Sequence, residues 1–202
     1  MRTRKVMAGL VVVVAIAIVA PLAISQGPDG EKGGEGMQIP PEALANMMPG
    51  EHHEYLNVLE GKWNVTSKYW MAPDQPPSES AGTSTFKWLF EGRYLQENLS
   101  MVGAMGPFQG RGFIGYDNQK KKYFSVWMDS MSTRVMVSEG TCDDSHKVFT
   151  FLEEGHDSWL GKKMKYRSVL KVINDAKVVF EMFQTGEDGQ ENKALEVNYT
   201  RA

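Results

Sequence analysis

The 202-residue chain carries 22 basic and 25 acidic residues, a formal charge of -3, with 42% apolar and 23% charged residues, the balance of one globular domain with a short extension. A mildly acidic chain lacks the electrostatic footprint of a nucleic-acid binder. A single cysteine, Cys142, excludes an intramolecular disulfide, so stability has to come from burial.

Arg2, Arg4 and Lys5 precede an uninterrupted apolar run over 6–20, closed by Pro21, Leu22, Ala23, Ile24 and Ser25. This is the pattern of a secretory signal peptide over 1–25, and the small residues Ala23 and Ser25 place the cut before Gln26. The run also approaches the roughly 20 apolar residues of a membrane span, so an uncleaved anchor is the alternative. Neither a lipobox cysteine nor an Arg-Arg pair accompanies it. Cleavage leaves a periplasmic or secreted chain of formal charge about -6, with no tie to the membrane. Residues 26–39 are rich in Gly, Glu, Lys and Asp, which predicts a flexible linker.

Two short helices are predicted over 40–60. Pro40, Pro41 and Glu42 start the first, which Pro49 and Gly50 stop; Tyr55, Leu56 and Leu59 stand at helical spacing in the second, over 51–59. Neither is long enough to stand alone in water, so both are expected to pack against the β-rich remainder of the chain and cap it. From Gly61 the apolar period changes to two. Ten short strands are predicted, over 63–70, 83–90, 93–101, 111–116, 123–128, 133–138, 147–152, 163–173, 177–185 and 193–201. Turn signals such as Glu91-Gly92, Asp117-Asn118, Asn174-Asp175 and Glu187-Asp188-Gly189 separate them. The clearest strand is 163–173, where Met164, Tyr166, Ser168, Leu170 and Val172 alternate with Lys165, Arg167, Val169 and Lys171.

Sequential tight turns imply an antiparallel up-and-down meander, and one wide sheet with one dry face must cover that face. Two short helices supply too little area, whereas closing the sheet on itself buries the face and removes both edges. The expected fold is therefore all-β, about ten antiparallel strands closing a barrel over 61–202. Such a barrel either just fills with side chains or leaves room for one small guest. Trp63, Phe86, Trp88, Phe90, Trp127, Tyr166 and Phe180 are the bulky inward candidates, and both outcomes stay open.

Gly61-Lys62-Trp63 sets a Gly-x-Trp at the first strand directly after a short helix, and the last strand ends at Tyr199-Thr200-Arg201. This resembles the calycin, or lipocalin-like, arrangement, in which the first-strand tryptophan closes one end of the barrel under an arginine of the last strand, a cation over an indole face. Further along come Gly92-Arg93-Tyr94-Leu95, Gly106-Pro107-Phe108-Gln109-Gly110, Gly115-Tyr116-Asp117, Lys122-Tyr123 and Trp127-Met128-Asp129-Ser130, with His52 and His53 ahead of them. The series is similar to the bacterial family named domain of unknown function 1579, grouped with the calycins. The resemblance spans 52–201 and implies the barrel; it implies no activity. On the residues alone, Glu91-Gly92 reads as a two-residue hairpin turn with positive φ at Gly92, while Gly110, Gly112 and Gly115 remove side chains where a barrel bends or another group approaches.

With that turn, Arg93, Leu95, Glu97, Leu99 and Met101 share one face, which makes Glu97 a carboxylate inside the barrel and Arg93 its nearest cation; Tyr123, Ser125, Trp127 and Asp129 share a face likewise. One reading makes Arg93, Glu97 and Asp129 polar anchors for a ligand head group, with Trp88, Tyr123 and Trp127 as apolar walls; in the other, Arg93 pairs with Glu97 or Asp129 only to hold the fold. The expected partner is a small apolar or amphipathic molecule. A barrel enzyme using Glu97 and Asp129 as acid and base is one alternative, and a filled barrel working through its outer faces and the loop over 72–80 another. The oligomeric state stays open. No nucleophile elbow or zinc-protease spacing is present, and nothing asks for a cofactor or a metal. His52 and His53 diverge by roughly 100° on a helix, which does not suit one ion. His146 and His156 flank the seventh strand and raise haem binding of the nitrobindin type, against which stand the acidic turn before His146 and the loop-like 153–157. Cys142 falls in a turn-like stretch over 140–145, beside carboxylates that keep its thiol protonated. Met101, Met105, Met128, Met131 and Met136 suit either irregular core packing or an adaptable cavity.

Overall fold

In the computed structural model the described residues are 39–156, 161–186 and 189–202. The signal peptide read over 1–25, and all but the last residue of the linker, lie outside them. Helix α1 (Pro41–Met47), helix α2 (Glu51–Glu54) and a 3₁₀ turn (Asn57–Leu59) precede the strands. These are β1 (Gly61–Tyr69), β2 (Ser78–Leu89), β3 (Tyr94–Gly103), β4 (Gly106–Asp117), β5 (Lys122–Asp129), β6 (Met136–Cys142), β7 (Val148–His156), β8 (Lys163–Asn174), β9 (Lys177–Thr185) and β10 (Glu191–Arg201). Each strand pairs antiparallel with its neighbours in sequence, and β1 pairs with β10, so the described residues form a closed ten-stranded up-and-down barrel.

Alternation puts one face of every strand inside. Trp63, Val65 and Ser67 of β1, Leu95, Glu97, Leu99 and Met101 of β3, and Met164, Tyr166, Leu170 and Val172 of β8 are all buried. On the outer face of β8 to β10, charged side chains cover the sheet: Glu181 accepts from Lys171 and Lys193, and Arg167 holds Glu191 with its guanidinium 4.2 Å from the Phe183 ring centroid.

The barrel end where β1 starts and β10 finishes is sealed. Leu56 and Leu59 lose all but a trace of their surface there, and the Trp63 indole donates to the Leu59 carbonyl at 2.8 Å. Arg201 lies 3.9 Å from the Trp63 ring centroid, as the resemblance implied, and donates to the carbonyls of Glu60, Val58 and Asp175 at 2.6 to 3.1 Å. Three residues of 3₁₀ turn persist because the carbonyls around them are satisfied by this arginine and this indole. Helix α1 does not share in the seal. It buries no residue, leaves Leu44 and Met47 exposed, and is tied on by Asn118 and Arg93 side chains donating to its backbone carbonyls.

Three expectations need correction. The β2–β3 connection is four residues, not two: Leu89 pairs with Tyr94, and Phe90, Glu91 and Gly92 reverse the chain at φ of 48, 57 and 89°. Phe90 is consequently 71% exposed instead of inward. The sixth strand begins at Met136 and runs through Gly140 to Cys142, because the Phe151 ring packs where a Gly140 side chain would stand; a glycine that reads as turn is a close-packed strand residue. The turn follows it, held by Asp143, whose carboxylate accepts from the Lys147 and Val148 amides. Residues 153–156, read as loop, are the last of β7.

Candidate functional site

Glu97 is the one inward acid of β3 and keeps 7% of its surface. Its Oε1 accepts from the Ser84 hydroxyl at 2.8 Å and from the hydroxyl of Tyr199, on β10 beyond β1 and β2, at 3.0 Å. Its Oε2 accepts no hydrogen bond among the described residues, yet it is not occluded, so it borders accessible space. Burial pushes its carboxyl up to about 7; the two hydroxyl donors pull the other way without cancelling it. Tyr199 in turn packs edge-on against Trp63 and Phe86, so the carboxyl stands by an aromatic cluster that runs into the sealed end.

Beside it, Glu97 pairs across the sheet with Gly112, and Gly112 with Trp127. A Cβ at Gly112 would lie 3.1 Å from the Trp127 ring, and one at Gly110 would collide with it: the two glycines let the indole lie flat on the inner wall. Gly115, grouped with them in the sequence, faces outward and is covered by Phe124. The Trp127 indole donates to Asp129 at 3.0 Å, and the second Asp129 oxygen accepts from the Met131 amide. Further inward residues, Ser125 and Ser138 next to Trp127 and Ser168, Phe180 and Leu195 on β8 to β10, stay half-buried, so the interior here is not packed shut.

The other candidates are elsewhere. Arg93 is no partner of Glu97, because the longer turn carries it outside, where it donates to the carbonyls of Phe90 and Met47 and to the Met48 sulfur. Trp88 and Tyr123 point inward but at the sealed end: the Trp88 indole donates to Asn57 at 2.9 Å, and the Tyr123 hydroxyl donates to the His52 carbonyl at 3.2 Å. Of the six residues read as ligand-binding, Glu97 on β3 and Trp127 and Asp129 on β5 face the interior across the glycines of β4.

Four further residues of the candidate site escaped the sequence reading. Ser84 and Tyr199 hold Glu97, and Arg134 with Glu153 stands at the open end. β6 and β7 pair only over Glu139–Cys142 and Phe149–Leu152; beyond these they part, and a shallow cleft of about 540 Å³ opens between them, lined by Arg134, Val135, Val137, Glu153, Glu154, Gly155 and His156. Arg134 spans the gap, paired with Glu153 and lying 5.1 Å from the Tyr166 ring centroid. The inward alternation of β2 and β10 was signal enough for Ser84 and Tyr199. For Arg134, which lies outside any strand, there was none.

No histidine among the described residues projects into the lumen. His52 stacks on Tyr116, His53 bonds the Gly50 amide, His146 stacks on Tyr55 in the turn after β6, and His156 is exposed. Cys142 packs half-buried against the core, and burial, then Asp143, pushes its thiol up to about 11. Met101 is buried and Met136 half-buried, while Met105, Met128 and Met131 lie exposed.

The family model described as a protein of unknown function (DUF1579) matches residues 48–201. The chain belongs to this family. No curated protein matches it. Among solved structures, Rv2717c from M. tuberculosis is 13% identical over 76% of this DUF1579 chain and 98% of its own, at a TM-score of 0.52. A redesigned β-barrel, mFAP0, bound to DFHBI, is 15% identical over 72% of this chain and 100% of its own, at 0.39. A fluorescence-activating β-barrel of de novo design is 14% identical over 76% of this chain and 100% of its own, at 0.41. At such identities the likeness of the DUF1579 chain to Rv2717c is one of fold.

Proposed function

We propose that this protein holds one small amphipathic molecule inside its barrel, with the polar group at Glu97 and the apolar part along Trp127, Phe180 and Leu195. The observation that carries the reading is Glu97 itself, a buried carboxyl with one oxygen held by two hydroxyls and the other bordering accessible space without a donor. An oxygen that no side chain of the barrel pairs is open to a partner from outside, and a guest with a matching group supplies it. The signal-peptide pattern over 1–25 supports a site of action outside the cytoplasm, after a cut before Gln26. Native mass spectrometry of the protein purified from its own periplasm is the test, with N-terminal sequencing of the same sample for the cut. A retained small molecule is expected. If nothing co-purifies, and lipids and hydrophobic dyes bind no tighter than to a variant with its lumen filled by larger side chains, the reading fails.

One observation favours a second reading: a carboxyl held near neutrality suits a general base. Asp129 does not serve as its acid, since both its oxygens are engaged by Trp127 and Met131, which leaves Glu97 with Tyr199 as the pair in contact. Retained guest incubated with the protein and with Glu97→Gln, then weighed by mass spectrometry, decides it. Guest recovered intact from both removes the catalytic reading.

A further inference from the structure

We infer that the polar group the lumen selects is an organic cation, so that the preferred guest is an apolar amine and not a fatty carboxylate. This rests on the lumen being a binding site, and it adds the charge of the ligand to that reading. Buried carboxylates ordinarily stand beside an arginine or lysine. Among the described residues, Glu97 takes its hydrogen bonds from Ser84 of β2 and Tyr199 of β10, pairs across the sheet with Phe86 of β2, and faces Trp127 of β5 across Gly112 of β4; none of these brings a positive charge. The arginine that sequence spacing offered as its partner, Arg93, is drawn outside by backbone carbonyls.

The charges toward the open end point the same way. Glu97, Asp129 and Glu153 face the interior or its mouth, whereas Arg134 is already paired with Glu153 and laid over Tyr166. An entering carboxylate meets acids with no free cation to receive it among these groups; an entering ammonium meets the open oxygen of Glu97 and the face of Trp127. A cation over an indole face adds attraction that an uncharged head group lacks. An amine also accounts for a carboxyl left without a counter-charge in a fold that pairs its other buried and half-buried acids Glu181 and Glu153. Because burial holds the Glu97 carboxyl up to about 7, a cation arriving there displaces a proton that the empty barrel retains.

The test is calorimetric titration of the mature protein with decylamine, decanol and decanoate at pH 6, 7 and 8. Decylamine should bind at least about tenfold more tightly than decanoate at pH 8. Its affinity should rise up to about tenfold between pH 6 and pH 8, as Glu97 ionises, and at pH 7 about half a proton should be released per amine bound, read from the dependence of the heat on buffer. Glu97→Gln keeps the side chain's shape and its acceptor toward Ser84 and Tyr199; it should bring decylamine down to decanol and abolish proton release. Decanoate equal to or tighter than decylamine, or an amine preference untouched by Glu97→Gln, overturns the inference while leaving the lumen a binding site. Failure of all three probes to bind overturns the binding reading itself.

Discussion

Glu97 makes the stability of this barrel fall as pH rises. Its carboxyl titrates at about 7 in the folded protein against an ordinary value of 4.5, so below the lower value both states hold the proton and the group is neutral in effect. Between the two the folded state keeps a proton that the unfolded chain gives up, and above 7 the accumulated cost reaches about 3 kcal/mol. Glu97→Gln is therefore expected to match the parent at pH 4 and exceed its stability by up to that amount at pH 8, measured by denaturant unfolding at both. A variant less stable than the parent at pH 8 would show that ionised Glu97 is held by something stronger than two hydroxyls. Arg201 is a residue of the opposite kind, satisfied at every donor the seal can reach. Arg201→Ala strips the Trp63 ring and orphans carbonyls of Val58 and Asp175, and should cost about 3 kcal/mol in thermal or denaturant unfolding. At this scale alternation made Glu97 legible as an inward acid, and the Gly-x-Trp made the seal legible. Arg93 was misplaced because three consecutive residues with positive φ, two of them not glycine, leave no mark in the residue types.

Among the elements, β6 and β7 stand apart. Their ladder ends at Glu139 and Leu152, so among the described residues the amides facing the gap from Met136–Ser138 and from Glu153–His156 lack a partner strand, and the ion pair of Arg134 with Glu153 bridges them. Hydrogen exchange should find these edges exchanging faster than the paired remainder of both strands, and Arg134→Ala should speed them further while leaving β1 and β10 unchanged. Equal protection along all of β7 would mean that the seam closes in solution. Sequence patterning misleads most in this region, and the reason is physical. Gly140 and Gly155 look like turn chemistry, but Gly140 yields space to Phe151 and Gly155 yields space to Arg134. Close approach and chain reversal both call for glycine, and only the neighbours distinguish them.

At the scale of the whole molecule, closure followed from period-two alternation over ten segments with too little helix to cover the dry face, and the structure bears it out. Height along the barrel did not follow. Alternation says which side chains point inward but not which end of an antiparallel strand is the sealed one; Trp88 and Tyr123 therefore grouped with Trp127 in the sequence and are divided in the fold, two at the seal and one on the open wall. A guest held in the lumen at Glu97 is tested for most directly by following backbone and side-chain NMR shifts while decylamine is added to the protein. The expected changes saturate at one equivalent and centre on Glu97, Ser125, Trp127, Ser138 and Leu195, with the Glu97 carboxyl carbon moving to its ionised shift at pH 7. Shifts confined to outward residues such as Val137, Leu152 and Leu44, with the Glu97 signal unmoved, would contradict it.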